Sequence, residues 1–278
     1  MKLTMKKSVL ISTAIFALTA CSTSPTGRSQ VLLHSPSQLN KMGSQSFEQM
    51  KQQQTISKDK KVNQFVQCVA DSITPNVKSS VHKGAWEVVV FDSEQVNAFA
   101  LPGGKIGVYT GILNVTENAG QLAAIIGHEV GHVIAQHSNE RLSSSQLSQG
   151  VLVVAGVTMA AKDVDNKALI LAGLGVGVQY GILMPYGRAH ETEADIIGQD
   201  LMAVSGFDPK ESVKLWQNMA KLSKGAPPEF FSTHPSNQTR IKGLTKHLSK
   251  SEPMYAQANK QTKCVKPVIP KPKALKKS

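Results

Sequence analysis

His128, Glu129 and His132 stand in an H-E-x-x-H arrangement inside Gly127-His128-Glu129-Val130-Gly131-His132. On a helix of 3.6 residues per turn, positions four apart lie one above the other, so both imidazoles project from one face and can grip a single ion. Glu129 stands beside them, where a carboxylate can polarise a metal-bound water. Together they predict a zinc hydrolase. A helix whose histidines simply pack or face solvent is the alternative, and the rest of the chain has to decide.

A catalytic zinc takes three protein ligands and keeps a fourth position for water. His137 is nearest in sequence, but nine residues after His128 it falls about half a turn off the ligand face. It also misses the longer H-E-x-x-H-x-x-G-x-x-H spacing, so a surface or capping role is expected of it. The better candidates lie in Arg188-Ala189-His190-Glu191-Thr192-Glu193-Ala194-Asp195. Glu191 and Asp195 share a helical face, so Glu191 could bind the ion while Asp195 accepts a hydrogen bond from a ligand imidazole. Glu193 points away from both, and His190 turns off that face. An ordinary charged helix start would also be acidic. Beside the upstream motif, Glu191 is the preferred third ligand.

Several elements must position these groups. Helices are expected near 36–53 and 59–74, then a buried strand from Trp86 to Phe91. Asn97-Ala98-Phe99-Ala100-Leu101 and Lys105 to Thr110 flank Pro102-Gly103-Gly104, which reads as a β-hairpin. Asn114 and Glu117 suggest a capping box for a motif helix reaching about Leu142. A Gly/Ala-rich apolar region over 150–184 is short for membrane spans and reads as a helical hairpin. Further helices are expected over 188–205, ending at Gly206, from Asp208-Pro209-Lys210-Glu211 onward, and over 237–250. Phe230 to Ser236 reads as a loop.

Four blocks then fall in order across about 85–245: Asn97 to Gly104, Gly127 to His132, Arg188 with Glu191 and Ala194-Asp195, and Thr233-His234-Pro235 with Arg240-Ile241. This series resembles metallopeptidase family forty-eight, a gluzincin group. The resemblance implies an α+β, zincin-like fold, mostly helical, with a small antiparallel-containing sheet and an H-E-x-x-H active-site helix. It implies one Zn2+ per chain on His128, His132 and Glu191, with Glu129 as general base. Asp195 and Arg188 would support the ligands from behind. Asn97, Ala98, Phe99 and Ala100 would receive substrate backbone by β-augmentation, although by chemistry alone that strand is equally an ordinary hairpin arm. A family histidine matching His234 lies near the active site and in some members plugs the metal. His234, with Arg240 nearby, is therefore expected to gate the site or stabilise the tetrahedral intermediate; a plain loop histidine before proline is the alternative. Without a tetratricopeptide extension or a convincing span, the short lipoprotein branch of the family is the nearer match.

The ends of the chain bear on location. Lys2, Lys6 and Lys7 precede an apolar run, Ser8 to Leu18, so residues 1–20 read as an export signal. Leu18-Thr19-Ala20-Cys21 resembles a bacterial lipobox, which implies acylation of Cys21; an ordinary signal with a coincidental cysteine is the alternative. The expected organisation is a signal over 1–20, a flexible tether over 21–34, a peptidase domain over 35–252 and a basic Pro/Lys-rich tail over 253–278. In an oxidising compartment Cys68 and Cys264 could pair, or stay as two thiols. The net charge of +12 is concentrated in that tail, which makes nucleic acid an unexpected partner and an anionic membrane surface a reasonable one. The expected location is the periplasmic side of a bacterial membrane, as an outer-membrane lipoprotein. The expected function is a membrane-anchored zinc endopeptidase acting on unfolded, misfolded or misassembled cell-envelope proteins, in contact with envelope assembly machinery. A chaperone-like assembly factor with a plugged, latent zinc site is the alternative.

Overall fold

The computed structural model describes residues 21–162, 164–178, 184–222, 234, 238–259 and 264–269. Its strands are β1 (Cys21–Thr23), β2 (Ser29–Val31), β3 (Glu87–Phe91), β4 (Ala98–Leu101) and β5 (Lys105–Tyr109). Helices α1 (Pro36–Gln53) and α2 (Lys60–Ile73) precede the larger sheet, and α3 (Thr110–Val115) and α4 (Ala119–Ile134) follow it. Then come α5 (His137–Ala161), α6 (Lys167–Val178), α7 (Met184–Val204), α8 (Lys210–Leu222) and α9 (Gln238–Gln257). This is the mostly helical α+β, zincin-like class, with small sheets. The chain forms two compact units, Met1–Ser35 with Ala135–His190 and Pro36–Ile134 with Glu191–Ser278.

In the second unit β5 is central. It runs parallel to β3 and antiparallel to β4, giving the order β3-β5-β4 and leaving β4 at an edge. Gly103 and Gly104 take φ of 90° and 70° in the β4–β5 turn, a region where a side chain would be strained. Asp59 starts α2 by accepting hydrogen bonds from the Lys61 and Val62 amides, and Asp208 accepts one from the Lys210 amide at the start of α8. Val66, Val69 and Ile73 of α2 pack with Ile106 and Val108 of β5 and with Leu122, Ile125, Ile126 and Val130 of α4. Met202, Leu215 and Leu244 join the same core from α7, α8 and α9. Each such side chain contributes about 1.5–3 kcal/mol when fully buried. Cys68 of α2 and Cys264 are joined by a disulfide.

Two boundaries differ from expectation. The helix expected over 114–142 is three elements, because Asn118, not Asn114, caps the motif helix by accepting from the Gln121 amide at 3.0 Å. Gln136 is left-handed, with φ of 54°, and a right-handed helix cannot run through such a residue. No glycine or proline marks that break, so the stretch reads as one helix. At the other end α9 runs on through Pro253 to Gln257, so the tail expected from residue 253 begins as helix.

In the first unit, residues 21–34 are not the flexible tether expected from their polar composition. β1 and β2 pair antiparallel, and Gln30, almost fully buried, donates to the Ala135 carbonyl at 2.7 Å and to Glu140 at 2.8 Å. The Leu33 amide donates to Ser143 Oγ and the His34 amide to Asn139 Oδ1, so α5 satisfies the backbone. α5 and α6 pair as a helical hairpin. Among the described residues no helix is long and apolar enough to cross a membrane. The signal expected over 1–20 lies outside the described residues, as does most of the 230–236 loop.

Candidate metal centre

α4 is buried without interruption from Gln121 to His132, so its histidines are held in a desolvated environment. Glycine brings the next helix to them. A Cβ on Gly127 would lie 2.8 Å from the Gly198 carbonyl oxygen, one on Gly131 would lie 2.9 Å from that of Ala194, and one on Gly198 would lie 2.6 Å from the His128 amide nitrogen. Only hydrogen at these positions lets α7 approach α4 backbone to backbone. That contact sets Glu191 and Asp195 of α7 beside the two imidazoles.

His128 Nε2 lies 3.1 Å from His132 Nε2 and 3.3 Å from Glu191 Oε2, and Glu191 Oε1 is 3.5 Å from His132 Nε2. His234 Nδ1 completes the group, 2.9 Å from Glu191 Oε2 and 3.2 Å from His128 Nε2. These four residues each offer one ligand atom within 4.8 Å of the others. On the far side of the ring, His128 Nδ1 lies 3.0 Å from Asp195 Oδ1, which turns Nε2 toward the group. Arg240 grips Asp195 through Nε and Nη2, at 2.7 and 2.6 Å, and reaches Glu191 through Nη1 at 3.1 Å. Trp216 of α8 lies under the guanidinium, 3.7 Å from ring centroid to Cζ, with its edge toward His128.

Burial opposes the ionised forms here, and hydrogen bonds and charges outweigh it for most groups. Burial lowers His128, but Asp195 and Glu191 carry it up to about 9. Burial raises Glu191 and Asp195, yet hydrogen bonds with His128 and His234 bring Glu191 down, and Arg240 brings Asp195 down. Glu129 is the exception: burial raises its carboxyl above the usual range. Its Oε1 has no hydrogen-bond partner among the described residues, and His234 Nε2 lies 3.4 Å from it. Two or three imidazole nitrogens, one carboxylate oxygen and a nearby buried carboxylate seeking a donor fit a zinc site that also handles water.

The other expected residues fall differently. Arg188 is exposed on α7. Asn97 caps its own strand, its Oδ1 accepting from the Ala98 amide while its carbonyl accepts from Tyr109; Ala98, Phe99 and Ala100 form the edge strand β4. His137, expected at the surface or as a cap, is buried and stacks on His190 with centroids 4.1 Å apart. His190 itself lies 3.0 Å from Glu140 and belongs to the first unit. Glu193 is buried outside the donor group. Trp216 escaped sequence reasoning, since a tryptophan in an amphipathic helix reads as core.

The sequence pattern defining peptidase family M48 matches residues 57–248, which include every residue of this centre. The chain belongs to that family. It carries an M48 zinc metalloendopeptidase domain, with His128, His132 and Glu191 in a cluster able to bind the metal. Among M48 relatives, mitochondrial metalloendopeptidase OMA1 of Saccharomyces cerevisiae is 34% identical over 194 residues, covering 66% of this chain and 54% of that protein. Mitochondrial metalloendopeptidase OMA1 of Homo sapiens is 31% identical over 242 residues, 83% of this chain and 46% of its own length. The beta-barrel assembly-enhancing protease of Escherichia coli is 23% identical over 223 residues, 78% and 45% respectively. The chain thus spans about half the length of these curated relatives. The expected placement as a bacterial outer-membrane lipoprotein on the periplasmic side is corrected by these matches: the OMA1 relatives from yeasts, plant and vertebrates are mitochondrial by name.

Proposed function

We propose that the whole protein hydrolyses peptide bonds within unfolded or misassembled protein substrates while held at a membrane. In this reading His128, His132 and Glu191 hold one Zn2+ and Glu129 is the general base. The observation that carries it is the convergence of those donors beside a buried Glu129 carboxylate whose Oε1 lacks a hydrogen-bond partner among the described residues. Bound zinc supplies Lewis-acid polarisation of a carbonyl and acidifies water. Glu129, raised by burial, is suited to take a proton from a water held at its Oε1 and pass it to the leaving amine. Asp195 orients His128, and Arg240 keeps Asp195 ionised while drawing Glu191 toward the centre. The edge strand from Asn97 to Ala100 offers backbone groups to an extended substrate. Relatives named for β-barrel assembly support misassembled membrane proteins as the substrate class. Glu129→Gln should keep its zinc and lose cleavage of unfolded casein; persistent cleavage would overturn the assigned role.

His234 favours a second reading. Its Nδ1 sits within the donor group itself, so a fourth protein donor would leave the site latent and the chain would act chiefly by binding unfolded clients. A gain in casein cleavage by His234→Ala marks this histidine as a gate on a competent protease. No basal activity and no gain would favour the binding role.

A further inference from the structure

The α5–α6 hairpin carries the largest exposed side chains of the first unit that are apolar. Val151, Val153, Val154 and Val157 are each 64–66% exposed, Leu169 is 75% exposed, and Leu147, Ile170 and Leu174 are also exposed. Residues 150–161 and 168–178 contain no charged side chain. Val151, Val153, Val154 and Val157 expose one face of α5, an arc of about 160°, and the other side, also free of charge, packs at Gly156 on Leu171 of α6. A helix apolar on all sides belongs in a protein core or in lipid, and the exposure excludes the core.

We infer that this hairpin lies in the surface layer of a membrane, with its valines and leucines among the acyl chains. Among the described residues neither helix of the hairpin is long and apolar enough to cross a membrane. The turn joining the helices carries Lys162, Asp165 and Lys167. Charged groups of both signs at the tip are costly in the acyl region, so the hairpin does not enter tip first. It lies flat, with the turn at headgroup level, at the shallow depth typical of interfacial helices. Charge is complementary to such a surface: the chain carries a net +12. In the first unit outside residues 1–20, Arg28, Arg141, Lys162, Lys167 and Arg188 outnumber Glu140, Asp163 and Asp165, and Glu140 is already matched by Arg28. This inference stands apart from the peptidase reading.

The test is local, so that other attachment points do not blur it. Val157→Trp is made in the full chain, where the native tryptophans are Trp86 and Trp216, and its emission is followed with anionic vesicles containing brominated lipids. Quenching strongest for bromines near the headgroups, absent from the wild-type tryptophans, is the expected result. Replacing Val151, Val154 and Leu169 with serine in the same chain should weaken the quenching on the order of tenfold at fixed lipid, with zinc content unchanged. No quenching would overturn the proposal, as would quenching deepest at the bilayer centre. A blue shift that grows with protein concentration without vesicles would overturn it too, assigning the surface to a second copy.

Discussion

Gly198→Ala tests whether close helix packing sets the metal centre. The new methyl would sit 2.6 Å from the His128 amide nitrogen and 2.8 Å from both the Gly127 carbonyl carbon and His128 Cα. Ordinary contact begins at 3.4 Å. The obstructing atoms are backbone, so the helices must part by about 0.8 Å, whereas metal–ligand distances tolerate about 0.2 Å. Glu191 and Asp195 ride on α7 and both histidines on α4, so the displacement passes into the donor set. Zinc affinity should fall roughly 10–100-fold, the range seen when ligand support is lost, and stability by about 1–3 kcal/mol, as for other overpacked cores. Competition against a chromogenic zinc chelator reads the first quantity and a thermal melt the second. Gly243→Ala in α9, where nothing lies within 4 Å, is the control; it should raise stability by up to about 1 kcal/mol and leave zinc alone. Unchanged zinc affinity in Gly198→Ala would refute the reasoning, because ligand spacing would then not depend on this contact.

Asp195→Asn removes the carboxylate that orients His128, and zinc affinity by chelator competition should drop about 10–100-fold. Burial would raise Glu140, but hydrogen bonds from His190, Arg28 and Gln30 bring its carboxyl down to about 2 from the usual 4.5. A depressed carboxyl stabilises the fold above its unfolded value and loses that contribution as it protonates. Glu140→Gln should therefore melt lower than wild type at neutral pH, with the gap closing as pH falls from about 4.5 to about 2. Loss of the Cys68–Cys264 disulfide in Cys68→Ser/Cys264→Ser should cost about 2–5 kcal/mol in a denaturant titration under non-reducing conditions.

What could be read from the chain was mostly local. The shared face of His128 and His132, and of Glu191 and Asp195, follows from helical periodicity. The stop at Gly206 and the cap at Asp208 follow from backbone chemistry within a few residues. What stayed hidden was long-range. Arg28 meets Glu140 across 112 positions, and that pairing turns an apparently solvated linker into a docked hairpin. Helical counting puts His137 half a turn off the ligand face, but it begins a separate helix, buried and stacked on His190, which no local spacing reveals. Trp216 under Arg240 is of the same kind. The break at Gln136 escaped because a left-handed residue that is neither glycine nor asparagine leaves no mark in the sequence.

The bond between Cys68 and Cys264 spans 196 positions, and His128, Glu129, His132, Glu191, His234 and Arg240 all fall inside the ring it closes. A single nick anywhere in that ring, whether by another hydrolase or by a sister molecule, leaves both fragments covalently attached. Such a clipped molecule would migrate as one band on a non-reducing gel and separate only on adding a thiol. Clipping therefore need not scatter the catalytic groups.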